Sequence, residues 1–274
     1  MSESAVEPVP LSRISRRWEL EDVTRRGRLA LVAHRPNYLL PLSWNFSPNQ
    51  QPFRPSDLAV RNEEVKLQLS FKLKLLEGIV GENGDLWATY TQRSFWQAYG
   101  RSAPFRDTSY EPTLLLAWRA SYDLLGWRGR LFGLELNHQS NGLGEADALS
   151  RSWNRIVGKA VFERGNFVTE LRAWWRIPEA GSDDNNPGIE RYLGRGELLL
   201  SWKRDDTTVS LQLRGTADGG RPRGAGELSW SFPLGKAPSL KGYLQLFQGY
   251  GESLVDYDHV NRRIGAGVIF SDWY

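Results

Sequence analysis

The stretch 65-VKLQLSFKLKL-75 alternates strictly between apolar and polar side chains. Apolar residues occupy every odd position from Val65 to Leu75, and lysine, glutamine or serine fills each even position between them. Successive side chains of a β-strand point to opposite faces, so this segment predicts a strand with one apolar and one polar face. A run of about ten residues is the length at which a β-strand spans a bilayer.

The same alternation recurs through most of the chain and predicts twelve strands. Short turns, such as 81-GENG-84 and 124-LLGW-127, alternate with longer connections, such as 97–111 and 178–189. An even number of antiparallel strands, with short turns at one end and long loops at the other, is typical of an outer-membrane barrel. The predicted strands lie at residues 37–46, 63–75, 85–96, 112–122, 129–140, 152–163, 167–177, 190–203, 207–216, 225–234, 240–250 and 260–272.

This pattern predicts an all-β fold, a twelve-stranded antiparallel transmembrane β-barrel, as a single domain over residues 36–274. Residues 1–35 show no sustained periodicity and carry prolines and clustered arginines, so they are interpreted as an irregular N-terminal arm. The arm lacks the apolar core of a secretory signal peptide. Since such a barrel must be exported, we expect a processed chain with an added initial methionine.

Composition narrows the possible functions. The 274 residues include 35 basic and 32 acidic side chains, a net charge of +3 without a concentrated basic stripe, which argues against a nucleic-acid partner. There is no cysteine, so disulfides, thiolate zinc sites and cysteine nucleophiles are excluded. No stretch of about 18 apolar residues occurs, which excludes a membrane-spanning helix.

Aromatic residues are abundant, with 12 tryptophans, 10 tyrosines and 11 phenylalanines. The alternative to a membrane barrel is a soluble β-sandwich or lipocalin-type barrel, whose apolar faces would point inward to a core. The many charged residues on the polar faces favour the membrane barrel, because they suit a polar lumen. Several aromatic residues also lie toward predicted strand ends, where a membrane barrel carries its aromatic girdles: Tyr38, Trp87, Trp96, Trp127, Trp202 and Trp273.

A histidine and a serine interrupt the apolar face of the strand 131-LFGLELNHQSNG-142. By parity, His138 and Ser140 share that face with three large apolar residues. A serine hydroxyl becomes a nucleophile when a neighbouring base takes its proton, and the base needs a third group to orient it. Asn154, near the start of the next strand, lies on the same face and at the same barrel end. The alternative is that these residues are polar groups at the level of the lipid headgroups.

Seven segments together resemble the outer membrane phospholipase A family of Gram-negative bacteria, in order, from about residue 37 to the end of the chain. The resemblance implies a twelve-stranded barrel that hydrolyses acyl esters of membrane phospholipids, with phospholipase A1, A2 and lysophospholipase activity. It also implies calcium as a cofactor, an active homodimer, and an outer-membrane location with the active site toward the outer leaflet. The segments are EVKLQLSFKLKL, YTQRSFWQ, APFRDTSYEP, NHQSNG, SRSWNR, NPGIERYLG and GYGESLVDYDHVNRRIGAGVIFSDWY.

The same resemblance implies a role for each residue of the site. Ser140 would be the nucleophile, His138 the general base, and Asn154 the group that orients the imidazole. Gly142 would offer its backbone N–H to the oxyanion. The implied dimer contacts are Gln92, Phe105 and Tyr110.

The implied calcium ligands are the Ser150 hydroxyl, the Leu143 carbonyl and the hydroxyl of Ser102 of the partner subunit. Calcium prefers oxygen ligands, and beside the oxyanion it would polarise the ester carbonyl. The connection 141–151 departs from the family pattern, because it is about two residues longer and Leu143 replaces an arginine. The replacement is compatible with a role for the carbonyl of that residue.

Two other functions stay open at this point. A catalytically silent barrel or passive pore would have the same strand pattern without the reaction. A soluble carrier of hydrophobic ligands would fold as a monomer without detergent.

Overall fold

The computed structural model describes residues 12–24, 31–56, 58–144, 148–181, 184–216, 223–235 and 240–273. Its helices are α1 (Arg13–Thr24), a 3₁₀ helix (Gln51–Ser56) and α2 (Glu190–Leu193). None of these helices is long and apolar enough to cross a membrane. The strands in these segments are β1 (Val32–Ala33), β2 (Asn37–Asn45), β3 (Glu63–Leu76), β4 (Gly84–Trp96), β5 (Phe105–Leu124), β6 (Trp127–Ser140), β7 (Ser152–Arg164), β8 (Phe167–Ile177), β9 (Gly196–Arg204), β10 (Thr207–Gly215), β11 (Gly224–Pro233), β12 (Lys241–Tyr250) and β13 (Val260–Ser271).

All these strands belong to one antiparallel sheet that closes on itself. Consecutive strands pair from β2 to β13, and β13 pairs back with β2. Strand β1 pairs with Lys72 and Phe71 of β3, on the edge that β2 also uses, so it extends the first barrel strand and adds no new one. The predicted fold class, a twelve-stranded antiparallel barrel, is confirmed.

Side chains along the strands alternate between exposed apolar and buried polar residues. In β6, Phe132, Leu134 and Leu136 are 44–55% exposed, whereas Glu135 and Asn137 are at most 3% exposed. The apolar face is therefore outside and the polar face inside, the reverse of a soluble barrel with an apolar core. This arrangement excludes the soluble sandwich and lipocalin-type alternatives.

Most strand limits agree with the prediction to within a few residues, but two differ more. Strand β5 starts at Phe105, because its first residues pair with the end of β4, where Trp96 lies opposite Phe105. Residues 190–193 form α2, although the pattern predicts that β9 begins there. Leu193 of this short helix packs in a buried cluster with Trp153 and Trp174. Its apolar side chain is therefore buried without belonging to a strand.

Two of the aromatic residues expected in the girdles lie inside the barrel instead. Tyr38 is 3% exposed and Trp87 is 5% exposed. The ammonium groups of Lys72 and Lys74 lie 4.3 and 4.8 Å from the centroid of the Trp87 ring. The expectation was wrong for these two residues, because strand parity rather than closeness to a strand end decides which face a side chain occupies.

Helix α1 lies in the arm that is predicted to be irregular, so the prediction was wrong for the residues of this helix. The backbone N–H of Ser15 donates to the Ser12 hydroxyl at 3.2 Å and caps the first turn. Ile14 packs against Val161 and Val168 in the barrel interior. An isolated helix of 12 residues is only marginally stable in water, so α1 depends on its contacts with the barrel.

Ion pairs hold the other half of α1. Glu21 lies 2.8 Å from the ammonium group of Lys72, and Asp22 lies 2.8 Å from the guanidinium of Arg119. These contacts join the helix to β3 and β5, whereas Ile14 packs on the valines of β7 and β8. Residues 1–11 and 25–30 of the predicted arm lie outside the described residues, and its Val32–Ala33 form β1, so the irregular prediction was wrong there too.

A chain of buried ion pairs crosses the barrel interior at the long-loop end. Arg263 bridges Glu252 and Glu64, at 2.9 and 2.6 Å. Arg106 continues from Glu64 to Asp256, at 2.6 and 2.7 Å. All five side chains are at most 1% exposed. Because Glu252 and Asp256 belong to the connection after β12, the ion pairs hold that connection inside the barrel.

Glu252 also contacts the buried ammonium group of Lys66, at 3.0 Å. Burial alone would raise the pKa of Glu252, but Arg263 and Lys66 lower it to about 2. The pKa in the folded protein is therefore below the ordinary value of 4.5. The ionised carboxylate consequently stabilises the fold fully above about pH 4.5, and this stabilisation is lost as the pH falls toward 2.

We expect Glu252→Gln to lower the free energy of unfolding at neutral pH by about 3 kcal/mol, because two buried cations lose their shared anion. The difference from wild type should disappear as the pH falls through about 2, where wild-type Glu252 is protonated. Urea unfolding of the refolded barrel in lipid vesicles measures both quantities. Glu82→Gln, in the exposed turn between β3 and β4, is the matched control, and equal losses for the two variants would contradict the role of the buried ion pairs.

Candidate active site

The antiparallel register of β6 and β7 places His138 directly opposite Asn154. The imidazole Nδ1 lies 2.8 Å from the Asn154 Oδ1, and both side chains are half-buried on the outer face. An amide oxygen only accepts hydrogen bonds, so the imidazole donates its Nδ1–H, and Nε2 is left as the basic nitrogen. The contact therefore gives His138 the tautomer that a general base needs.

Ser140 lies two residues after His138 on the same face of β6, about 7 Å along the strand. In the register it stands opposite Tyr110 of β5 and Ser152 of β7. Its hydroxyl makes no hydrogen bond to any residue in the described part of the chain. Hydrogen bonds between a nucleophile and its general base are often long in the absence of substrate and shorten in the complex with substrate. The structure thus brings the three predicted catalytic residues to one face and one end of the barrel.

The second residue of the connection after β6 must be a glycine. Gly142 has a φ of +73°, in the left-handed region, and a Cβ built on it would lie 2.8 Å from the ring of Tyr110. Asn141 anchors the connection at this point, because its side chain donates to the Leu149 carbonyl at 2.7 Å and accepts from the Arg151 N–H at 3.0 Å. No periodicity marks Asn141 in the sequence, so its anchoring role is visible only in the structure.

Two of the predicted calcium ligands meet in the same connection. The Ser150 hydroxyl and the Leu143 carbonyl are 3.1 Å apart. The Asn185 side chain donates to the Ser150 hydroxyl at 3.3 Å and accepts from the Ser152 N–H at 2.9 Å, so a neighbouring loop braces the pair. Within the described ranges, no group of three or more histidines and carboxylates forms a metal site. Neutral oxygens close together fit calcium, a cation that prefers oxygen ligands.

The residues predicted to meet a second subunit lie on β4, on β5 and in the connection between them. Ser102 is exposed, with a φ of +61°. Phe105 is 55% exposed and stacks on Trp96, with ring centroids 5.5 Å apart. The Gln92 side chain accepts from the Tyr90 hydroxyl at 3.0 Å on the outer face of β4. Ser102 therefore lies in a different connection from the other two predicted calcium ligands of the same chain.

Comparison with known proteins defines the family. A family model described as phospholipase A1 matches residues 14–270. The chain belongs to this family. It is 38% identical to the phospholipase A1 of Klebsiella pneumoniae over 248 residues, covering 89% of this chain and 83% of the relative. It is 39% identical to that of Escherichia coli K12 over 216 residues, covering 78% and 72%.

Solved structures of family members share the fold. The outer membrane phospholipase A from Escherichia coli superposes with a TM-score of 0.83 at 35% identity, covering 89% of this chain and all of the other. The Salmonella typhi outer membrane phospholipase, a dimer with bound calcium, has a TM-score of 0.83 at 33% identity, covering 92% and 96%. The chain is therefore a phospholipase built as an outer-membrane β-barrel.

We expect Gly142→Ala to lower the phospholipase activity at least about tenfold, because a methyl group there strains the backbone and displaces Tyr110 beside the site. Gly144→Ala is the matched control, since a Cβ at that position has no atom within 4 Å. Fatty-acid release from phospholipid in mixed micelles measures both variants. Equal activities of the two variants would contradict the requirement for glycine at position 142.

Proposed function

We propose that this chain hydrolyses acyl ester bonds of phospholipids and lysophospholipids with Ser140 as nucleophile, His138 as general base and Asn154 as the orienting group. The hydrogen bond between His138 Nδ1 and Asn154 Oδ1 carries the proposal. It gives the imidazole a basic Nε2 on the face and at the barrel end where Ser140 lies. Polar and ionisable side chains on a lipid-facing surface are costly, so their presence there supports a function.

In the proposed reaction, His138 Nε2 takes the proton from the Ser140 hydroxyl as its oxygen attacks the ester carbonyl. Asn154 keeps the imidazole in the required tautomer and stabilises the imidazolium that forms. The Gly142 N–H donates to the oxygen that becomes negative. The imidazolium then protonates the leaving alcohol, and water, activated by the same imidazole, hydrolyses the acyl-enzyme and releases the fatty acid.

Calcium is the proposed cofactor, held by the Ser150 hydroxyl, the Leu143 carbonyl and the hydroxyl of Ser102 of the partner subunit. When bound, the cation would add positive charge near the oxyanion position. The 3.1 Å separation of Ser150 and Leu143 oxygens, beside Gly142, supports this assignment. The related Salmonella typhi structure, a dimer with bound calcium, also supports a calcium site shared between two subunits.

We further propose that the active form is a homodimer that takes its substrate from the membrane. The outer faces of β4, β5 and β6 would form the interface, with contacts from Gln92, Phe105 and Tyr110. Exposed apolar residues beside the site, such as Leu114 and Leu136 at 45% and 55% exposure, would contact the acyl chains. The catalytic residues lie at the long-loop end, so the site would face the outer leaflet.

We expect Ser140→Ala to lower fatty-acid release at least about a thousandfold, because the reaction loses its nucleophile. Ser121→Ala, an exposed serine near the opposite end of β5, should retain wild-type activity. Labelling with a serine-reactive fluorophosphonate, followed by peptide mass mapping, should modify Ser140 in wild type and in Ser121→Ala. A folded Ser140→Ala barrel with full activity would reject the triad, and an inactive wild type would favour a silent barrel.

We expect a chelator to abolish the activity and Ser150→Ala to raise the calcium concentration for half-maximal activity at least about tenfold, because the cation loses one oxygen ligand. Leu143→Ala should shift that concentration less than about twofold, since the backbone carbonyl remains. Titration of calcium against fatty-acid release measures these values. A larger shift for Leu143→Ala than for Ser150→Ala would contradict the proposed ligands.

A further inference from the structure

A carboxylate stands behind the asparagine of the proposed triad. The Asn154 Nδ2 donates to the Glu179 Oε1 at 3.0 Å, on the side of the amide away from His138. Glu179 follows β8 in the connection that leads to α2, and its side chain is 15% exposed. The hydrogen-bonded series on the outer face therefore runs from the imidazole through the amide to a carboxylate.

The carboxylate is itself held in place by its neighbours. The guanidinium of Arg176 lies 3.4 Å from Glu179 Oε2 and 2.7 Å from Asp184. Arg176 also donates to Asn186, whose side chain donates to the Ser152 carbonyl at 2.7 Å. The connection after β8 is thereby fastened to the start of β7, next to the proposed catalytic residues.

We propose that Glu179 is a positioning residue for the reaction, which fixes the amide of Asn154 and places a negative charge behind it. This inference rests on the proposed function. An amide has one accepting and one donating end. Only one orientation directs the oxygen toward His138 Nδ1–H and the NH₂ group toward a carboxylate. The flipped amide would set its oxygen against the Glu179 carboxylate and its NH₂ group against the imidazole N–H.

The same contact accounts for an asparagine at position 154. An aspartate there would place two carboxylates where the structure has a 3.0 Å hydrogen bond, and like charges at that distance do not both ionise. With Asn154, the negative charge is supplied from one residue further away. The amide transmits it, because a hydrogen bond to a carboxylate polarises the amide and strengthens the bond that its oxygen accepts.

The charge is relevant when His138 becomes an imidazolium during the reaction. The ionisable side chains of the elements around the site are Arg151 in the connection before β7, Arg176 at the end of β8, Glu179 and Asp184 after β8, and Tyr110 on β5. Asp184 is paired with Arg176. Glu179 is the carboxylate that hydrogen bonds to the orienting amide, so its charge acts on the imidazolium most directly.

Four variants test the inference, measured as kcat and KM for phospholipid hydrolysis over a range of pH. Glu179→Ala should lower kcat about tenfold to a hundredfold with little change in KM, because the amide loses a charged partner. Glu179→Gln should lose less, since its Oε1 still accepts from Asn154. Without the charge, the acid limb of its kcat/KM profile should move to lower pH by about half a unit.

The reciprocal exchange is the decisive comparison. Asn154→Asp should lose at least about tenfold in kcat through repulsion by Glu179. The double variant Asn154→Asp with Glu179→Gln should recover at least about tenfold over Asn154→Asp, because the glutamine amide donates to the new aspartate. A residue with a merely structural role would not produce this rescue. Glu190→Gln is the control: it removes the ion pair with Arg195 in the same connection after β8, and it should behave as wild type.

The outcomes separate the two proposals. Wild-type activity that is abolished by Ser140→Ala, together with wild-type kinetics for Glu179→Ala and Glu179→Gln, would overturn the role of Glu179 and leave the triad intact. Full activity of Asn154→Asp, or a double variant no better than it, would also overturn that role. An active Ser140→Ala would reject the triad itself. The heat-modifiable mobility of the folded barrel on gels confirms folding of each variant.

Discussion

The hydrocarbon core of a membrane offers no hydrogen-bond partner to a peptide group, and this constraint governs the whole structure. A β-sheet meets it only when its two edges pair with each other. Here strands β2 to β13 pair consecutively and β13 pairs back with β2, so the sheet closes on itself. Once the sheet is closed, each side chain of a strand faces either lipid or lumen, and the later features follow from that division.

The division places many charges in the interior, where they must find partners. Glu135 of β6 lies 3.5 Å from Lys159 of the neighbouring strand β7 and 2.8 Å from Arg172 of β8, the next strand along the sheet. Ion pairs also hold two segments that are not barrel strands inside the lumen. Glu21 holds helix α1 near the short turns, and Glu252 holds the connection after β12 near the long loops.

The candidate site lies on the outer face, and its most precisely positioned residues are on strands. Strand register holds His138 opposite Asn154, and parity directs Ser140 to the same side. These three residues could be predicted from the sequence, because alternation alone indicates which side of a strand a residue occupies. Asn141, Asn185 and Glu179 could not be predicted as parts of the site, since they lie in connections without periodicity and reach it only through the folded loops.

The sequence by itself determined the number of strands, the side on which each residue lies, and which connections are long, because these properties repeat every two residues or depend on chain length between repeats. Only the tertiary structure decided that part of the N-terminal arm is a helix in the lumen and that a carboxylate stands behind Asn154. These features depend on contacts between residues far apart in the chain. No local sequence pattern encodes such contacts, because they form, and stabilise the protein, only when the closed barrel brings the partners together.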